Sequence, residues 1–189
     1  EMLRKVRKPG TLDKFRAFAR MLEGYPEVFV GGNLILGFPG ETFGQMIDTY
    51  RFGLEVNLDW SPLTICQIIR GASAFSDFDD YFDAQMNSDG ELIKNYVPVR
   101  DSADGHLPSG NLVAKGLEVF NLDQDLVPDE DQVKEIWFTF NLVGNFINNK
   151  NLKPEGRVEK FISWVEMAQS AYPTNPYMSL FLSLAYIID

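Results

Sequence analysis

The fold of this chain is predicted best by the stretch from residue 31 to residue 42, Gly-Gly-Asn-Leu-Ile-Leu-Gly-Phe-Pro-Gly-Glu-Thr. From Val28 to Leu36, apolar residues occupy both alternating sets of positions, as in a parallel strand that is buried on both faces. A turn rich in Gly and Pro follows at residues 37–41, and Thr42 with Gln45 fits a capping box that starts a helix. A strand that leads through a turn into a helix is half of a βαβ unit.

Helices and a second strand are predicted on either side of this stretch. Before it, Thr11 is a suitable N-cap for a helix with apolar residues at helical spacing: Leu12, Phe15, Phe18, Ala19 and Leu22. After it, a second helix has a predicted buried stripe of Phe43, Met46, Ile47, Tyr50 and Leu54. A second strand is expected from Leu63 to Ile69. Strand, helix and strand at this spacing predict a βαβ unit with a right-handed crossover.

The rest of the chain divides into two segments. Residues 76–127 are rich in Asp, Asn, Ser and Gly and are predicted to form an irregular acidic insertion or connection, with a helix near residues 111–120. Residues 128–189 have the pattern of helices, with a loop from Asn148 to Gly156 and a last helix that is apolar all round. We therefore predict an α/β fold in which residues 1–75 hold the βαβ unit and an all-helical C-terminal region follows.

Composition narrows the classes of function. The formal charge of −10 repels phosphate backbones, which argues against nucleic-acid binding. The single cysteine, Cys66, excludes an internal disulfide and any multi-cysteine zinc or iron–sulfur site. No signal peptide is recognised, and the longest apolar stretch, residues 178–188, is shorter than the roughly 20 residues that span a bilayer. We expect a cytoplasmic chain that binds neither nucleic acid nor membrane.

Isolated polar residues are weaker candidates for function. Cys66 lies in the middle of a predicted strand and is interpreted as a buried structural thiol, while His106 lies in a polar loop. A calcium loop near residue 123 is disfavoured because Leu126 stands where glycine is required and Gln132 replaces the bidentate glutamate. The acidic clusters are therefore interpreted as solvated or helix-capping groups: Asp77, Asp79, Asp80 and Asp83, and Asn121, Asp123 and Asp125.

The glycine-rich turn fits neither of two common phosphate-binding motifs. A P-loop requires Lys-Ser/Thr after its last glycine, whereas Phe38 and Pro39 follow Gly37 here. A dinucleotide fingerprint requires Gly-x-Gly-x-x-Gly, and the spacing of Gly32, Gly37 and Gly40 does not provide it.

The same stretch resembles the fifth strand and the following turn of the radical S-adenosylmethionine barrel, where the pattern is Ile-x-Gly-Phe-Pro-Gly-Glu-Thr. Residues 2–8 are similar to the segment after the fourth strand of that barrel, and residues 58–69 resemble its sixth strand. The resemblance covers residues 1–75 and implies a partial (β/α) barrel. It departs after the sixth strand, where Arg70-Gly71-Ala72-Ser73 replaces the usual Pro-x-Pro-Gly-Thr.

The resemblance implies a cofactor site. In this family the fifth strand approaches the adenine ring of S-adenosylmethionine, and the matching positions here are Asn33, Ile35 and Gly37. Family members hold a [4Fe–4S] cluster with Cys-x-x-x-Cys-x-x-Cys, a motif that this sequence lacks. The resemblance therefore implies a piece of a larger oxidoreductase, methyltransferase or cyclase. The piece would supply part of the adenine site and of the barrel wall, and we expect it to be inactive alone and to bind no cofactor tightly.

Partners also follow from the resemblance. The parent would require the missing N-terminal half of its barrel and an organic small-molecule substrate, and a truncated sheet would offer an exposed edge for homo-oligomers. The later helices loosely resemble the C-terminal extensions of cobalamin-binding members, such as the anaerobic magnesium-protoporphyrin ester cyclases, which allows cobalamin in the parent. The alternative interpretation is a self-contained interaction module that acts through the helical region from Pro128 onward.

Overall fold

A computed structural model describes residues 2–6, 8–67 and 123–188 of the 189-residue chain. Two short strands and several helices follow one another in these residues. Their bounds are α1 Met2–Lys5, α2 Leu12–Leu22, β1 Leu34–Leu36, α3 Phe43–Val56, β2 Leu63–Ile65, α4 Glu130–Asn141, a π-helix Leu142–Ile147, a 3₁₀ turn Lys150–Leu152, α5 Val158–Ala171 and α6 Pro176–Ile188. The chain is thus a mixture of α and β structure with a helical C-terminal region, as the sequence predicts.

The described residues belong to two compact units. The first contains the described parts of residues 1–10, 35–48 and 65–137, and the second contains those of residues 11–34, 49–64 and 138–189. The predicted boundary at residue 75 lies outside the described part of the chain, and the one at residue 127 lies within the first unit. The predicted helix near residues 111–120 and the predicted strand residues 68 and 69 lie outside it as well.

The predicted strand–helix–strand order is confirmed. β1 and β2 are parallel neighbours in a two-stranded sheet, and an isolated parallel bridge joins Gly31 to Trp60 before the strands begin. β1 is shorter than the predicted strand from residue 28 because the amide groups of Asp59 and Trp60 both donate to Val30 O, at 3.0 and 3.3 Å. One acceptor shared by two donors breaks the even spacing of a parallel ladder.

The apolar stripe of α2 is largely exposed. Thr11 caps this helix as predicted, since its hydroxyl accepts from the Lys14 amide at 3.4 Å. Ala19 is the buried residue of the helix, whereas Phe18 is 56% exposed. The guanidinium of Arg16 binds both carboxylate oxygens of Glu55 on α3, at 2.6 and 2.9 Å, which ties the two helices together at the surface.

Side chains from the C-terminal helices close the outer edge of β2. The Oδ1 atom of Asn145 accepts from the Ser61 amide at 2.7 Å, and its Nδ2 donates to Ser61 O at 3.0 Å. Asn141 makes the same pair of bonds to Leu63, at 3.0 and 2.9 Å. Each carboxamide therefore bonds to the strand as a peptide group of a neighbouring strand would.

A third asparagine completes this asparagine ladder of Asn141, Asn145 and Asn149. The Nδ2 atom of Asn149 donates to Asp59 O at 2.8 Å. Residues two apart in a strand advance by about 6.6 Å, and residues four apart in a helix advance by about 6.0 Å. The near match of these spacings lets every fourth helical residue reach every second strand residue.

The π-helix explains how the three asparagine side chains of the ladder stay on one side of the helical segment, facing the strand. In an α-helix, residues four apart overshoot a full turn by about 40°, so a row of them drifts around the axis. A π-helix has wider turns because its bonds run from i to i+5, so residues four apart fall short of a full turn. The Asn148 amide donates to Val143 O at 2.8 Å in this manner. Mixing both geometries between Asn141 and Asn149 offsets the drift.

The buried carboxylate of Asp59, four residues before β2, bonds to the chain before β1, to the 3₁₀ turn and to α5. Its Oδ2 accepts from the Val30 amide at 2.7 Å and from Lys160 Nζ at 3.3 Å. Its Oδ1 accepts from Asn151 Nδ2 at 3.0 Å, with Lys150 Nζ at 3.4 Å. Burial alone would raise the pKa of Asp59, but the hydrogen bonds and the two lysine charges together lower it.

The core of the second unit is formed chiefly by α5 and α6. Its buried side chains are Phe146, Phe161, Ile162, Val165, Leu182 and Ala185, with Trp60 and Trp164 among the residues packed against them. The apolar last helix thus buries one face, whereas Ile187 on its other side is 81% exposed. In the described part of the chain no helix combines the length and apolar content needed to cross a membrane.

Replacing Asp59 with asparagine tests the role of this carboxylate. We expect Asp59→Asn to lower the free energy of unfolding by about 3 kcal/mol, because two lysines lose their buried partner. The stabilisation by Asp59 is present above its unfolded pKa of 3.8 and is lost as the pH falls through the lower folded value. The measurement is urea denaturation of both proteins from pH 7 to pH 3.

The matched control is Asp13→Asn, which removes a 90% exposed carboxylate that pairs with Arg16. We expect this control to change stability by less than about 0.5 kcal/mol. A loss of stability at Asp59 no larger than at Asp13 would contradict the assigned role.

Candidate functional site

The glycine-rich turn is closed by its own glutamate. Gly37 and Gly40 have φ values of 78° and 71°, a conformation that glycine adopts without strain. The chain therefore folds back so that Glu41, which is 1% exposed, reaches the start of the turn. Its Oε2 accepts from the amide groups of Gly37 and Phe38, at 2.6 and 3.1 Å.

The N-terminus of α3 has no amide group left for a ligand. The capping box forms as predicted, with Thr42 N to Gln45 Oε1 at 3.0 Å and Gln45 N to Thr42 Oγ1 at 3.3 Å. The two amide groups between them donate to main-chain carbonyls of a distant segment: Phe43 N to Leu126 O at 2.8 Å and Gly44 N to Gln124 O at 2.9 Å. Phosphate-binding turns rely on free amide groups at this position, so this turn is not a phosphate cradle.

Burial shifts the ionisation of two groups at the turn. Burial raises the pKa of Glu41 to about 7, and the hydrogen bonds from Phe38 and Gly37 offset only part of that effect. Burial, together with the nearby Glu41 charge, raises the pKa of Cys66 to about 12. The thiol is therefore protonated at neutral pH and is a poor nucleophile and metal ligand, in agreement with its interpretation as structural.

Packing around Gly37 leaves no room for a side chain. A Cβ atom there would lie 3.0 Å from Val133 Cγ1 and 3.3 Å from Ile65 Cγ2. The positive φ of Gly37 would strain any other residue as well. Gly37 is thus required where β1 ends, whether or not a ligand approaches.

The residues expected near adenine are placed in and beside β1. The side chains of Asn33 and Ile35 are exposed, and Ile35 is 45% exposed, contrary to the prediction of a strand covered on both faces. Leu34 N donates to Pro62 O at 2.9 Å, and Leu36 O accepts from Cys66 N at 2.7 Å, so the even-numbered residues pair with β2. Asn33 and Ile35 therefore direct their main-chain groups to the opposite edge, which no strand of the described residues covers.

The second unit contains a cleft of about 280 Å³ beside Asp59. Its apolar lining includes Ala19, Leu22 and Val56, and its rim includes Lys150 and Lys160. The Asp59 oxygens and both lysines are already engaged in the network described above. The polar groups beside Asp59 are thus committed to the fold, whereas Glu23 and Glu155, which also line the cleft, are exposed carboxylates.

The remaining candidates from the sequence show no site among the described residues. Asp123 Oδ1 accepts from the Asp125 amide at 3.1 Å, which is a local turn. No group of three or more His, Cys, Asp or Glu side chains is placed to hold a metal in residues 2–6, 8–67 and 123–188. His106, Asn121 and the acidic residues from Asp77 to Asp83 lie outside the described residues.

The sequence predictions missed two features. One is the asparagine ladder, for which the spacing of Asn141, Asn145 and Asn149 was an available signal. The other is the packing of residues 124–126 on the start of α3, for which neither the spacing nor the composition of the sequence gives a signal. Comparison with models of known protein families, with curated proteins and with solved structures finds no match to this chain.

The ionisation of Glu41 predicts a pH-dependent stability. The folded pKa of about 7 exceeds the unfolded value of 4.5, so the contribution of this group is fully present below pH 4.5 and is lost as the pH rises to 7. The shift corresponds to about 3 kcal/mol. Glu41→Gln keeps an oxygen that accepts from Gly37 and Phe38 but cannot ionise. We therefore expect the free energy of unfolding of this variant not to fall between pH 4.5 and pH 7.

The measurement is the free energy of unfolding of both proteins in urea from pH 4.5 to pH 8, taken as a difference. Glu23→Gln, which removes an exposed carboxylate, is the control and should follow the wild-type curve. Parallel curves for wild type and Glu41→Gln would contradict the proposed ionisation.

Proposed function

We propose that this chain forms part of the wall of a radical S-adenosylmethionine barrel and contributes the strand that lies along the adenine ring. The observation that supports the proposal best is the Ile-x-Gly-Phe-Pro-Gly-Glu-Thr string, which here links a parallel strand to a helix through a turn closed by Glu41. The same string fails both phosphate-binding motifs, and the amide groups of its turn are already used.

The geometry of β1 supports the assignment of adenine-contacting residues. A flat base that lies along a strand meets the main-chain groups of the strand edge and the small or apolar side chains beside it. Asn33 and Ile35 are exposed and direct their main-chain groups away from β2. Val133 and Ile65 fill the space beside Gly37, so a base would meet only the main chain at this residue.

The residues present do not fit an iron–sulfur cluster. Such a cluster is held by several thiolates, whereas this chain has one cysteine whose pKa is about 12. The proposal therefore assigns no step of reductive cleavage to this chain. Its own residues bind and orient the adenine, and the cluster-binding cysteines, the organic substrate and any cobalamin belong to the rest of the parent enzyme.

One observation favours an interaction module instead. α6 carries exposed apolar side chains along the side that does not face α5, among them Leu180, Leu184, Ile187 and Ile188. Exposed apolar patches of this kind often mark contacts with other proteins. This second candidate predicts that a partner binds to α6 and that nucleosides do not bind to β1.

Nucleoside titration of the isotopically labelled chain, followed by NMR, tests the proposal. We expect adenosine at millimolar concentration to shift the amide resonances of Asn33 and Ile35. Inosine, which lacks the exocyclic amine, is the matched control and should produce smaller shifts. The amide resonances of Ser61 and Leu63, which bond to the asparagine ladder, should not move.

The absence of shifts at residues 33–37 would contradict the proposed adenine contact. Equal shifts with inosine would indicate that the strand does not read the base. Shifts confined to the cleft beside Asp59 would place the binding site away from residues 33–37 and would also contradict the proposal.

A further inference from the structure

The asparagine ladder covers hydrogen-bonding groups that would otherwise accept another strand. The outward main-chain groups of β2 and of the residues before it belong to alternate positions, and the ladder reaches three of them at residues 59, 61 and 63. Asn145 and Asn149 are 2% and 3% exposed, so water has little access to these bonds. An uncovered strand edge pairs readily with other strands.

We propose that the ladder occupies the place of a neighbouring strand and thereby prevents a second copy of this chain from pairing with β2. A carboxamide has an acceptor oxygen and a donor NH₂, so it reproduces the two bonds that a strand residue would make. Unlike a strand, the carboxamide has no second row of main-chain groups to which a further strand could bond. The sheet therefore ends at the ladder.

The ladder excludes a second copy of this chain in particular, because the chain itself carries a strand edge, that of β1, with which β2 could pair. β1 directs the main-chain groups of Asn33 and Ile35 to an edge that no strand in the described part of the chain covers. That edge is present at the same concentration as β2 in any solution of the protein. Pairing of β1 from one copy with β2 of another is a head-to-tail contact, which extends into open assemblies instead of closing as a dimer.

The inference does not rest on the proposed function, because it uses β1 only as a strand edge and requires no ligand at Asn33 or Ile35. It also narrows the expectation that a truncated sheet offers an exposed edge for homo-oligomers. Neither outer edge of the two-stranded sheet has a strand neighbour among the described residues, but side chains of the ladder bond to the edge of β2 and of the residues before it.

Asn145→Ala in the full 189-residue chain tests the inference with two readouts. Hydrogen exchange should show that the Ser61 amide is protected in the wild type and loses protection by about tenfold or more in the variant. The amide of Leu34, which bonds to Pro62 O, should stay protected and report that the sheet is intact. Light scattering over a dilution series should show concentration-dependent association of the variant and a wild type that associates less.

Asn148→Ala is the matched control, since Asn148 is exposed and bonds to Tyr50 instead of β2. We expect it to resemble the wild type in both readouts. If Asn145→Ala loses protection at Leu34 as well, Asn141→Ala replaces it, because that change removes one terminal rung and is read at the Leu63 amide.

Two results would overturn the inference. One is an unprotected Ser61 amide in the wild type, which would mean that the ladder does not form. The other is a variant that loses protection at the edge of β2, keeps the bonds between β1 and β2, and associates no more than the wild type at any concentration.

Discussion

The position of β2 depends on one buried carboxylate. Asp59 receives the Val30 amide from the chain that leads into β1, Asn151 from the 3₁₀ turn and the ammonium groups of Lys150 and Lys160. Its main-chain oxygen accepts from Asn149. Every segment that meets at the start of the sheet in the second unit thus bonds to this residue. Removing a carboxylate from water is costly, and a fold tolerates that cost only where several hydrogen-bond donors surround the carboxylate oxygens.

The two buried acids among the described residues, Glu41 and Asp59, have pKa values shifted in opposite directions. Both are removed from water, which raises the pKa of each. Glu41 meets only neutral amide donors, and these do not offset the cost of burial, so its pKa stays high. Asp59 meets amide donors and two lysines, and the sum lowers its pKa. Near neutral pH, Glu41 is therefore close to its titration midpoint, while Asp59 acts as a fixed anion.

Local chemistry made part of this structure predictable from sequence. The capping box of α3, the left-handed glycines and the order of β1, α3 and β2 follow from residues close together in the chain. The features that could not be predicted depend on hydrogen bonds between residues far apart in sequence, such as Leu126 with Phe43 and Asn145 with Ser61. The exposure of the apolar stripe of α2 could not be predicted for the same reason. Helical spacing shows which side chains share a face and does not show what covers that face. Of the candidate site, the sequence indicated Asn33, Ile35 and Gly37, and their contact with adenine stays a prediction.

The closed turn limits what this region can recognise. Glycine-rich turns that bind phosphates do so with free amide groups and the positive end of a helix. Here Glu41 takes two of those amide groups, and the capping box and residues 124–126 take those of residues 42–45. A buried carboxyl at this point would also repel an anion as soon as it ionised. Recognition at this end of β1 must therefore use the strand edge and exposed side chains, which suit an uncharged planar group better than a phosphate.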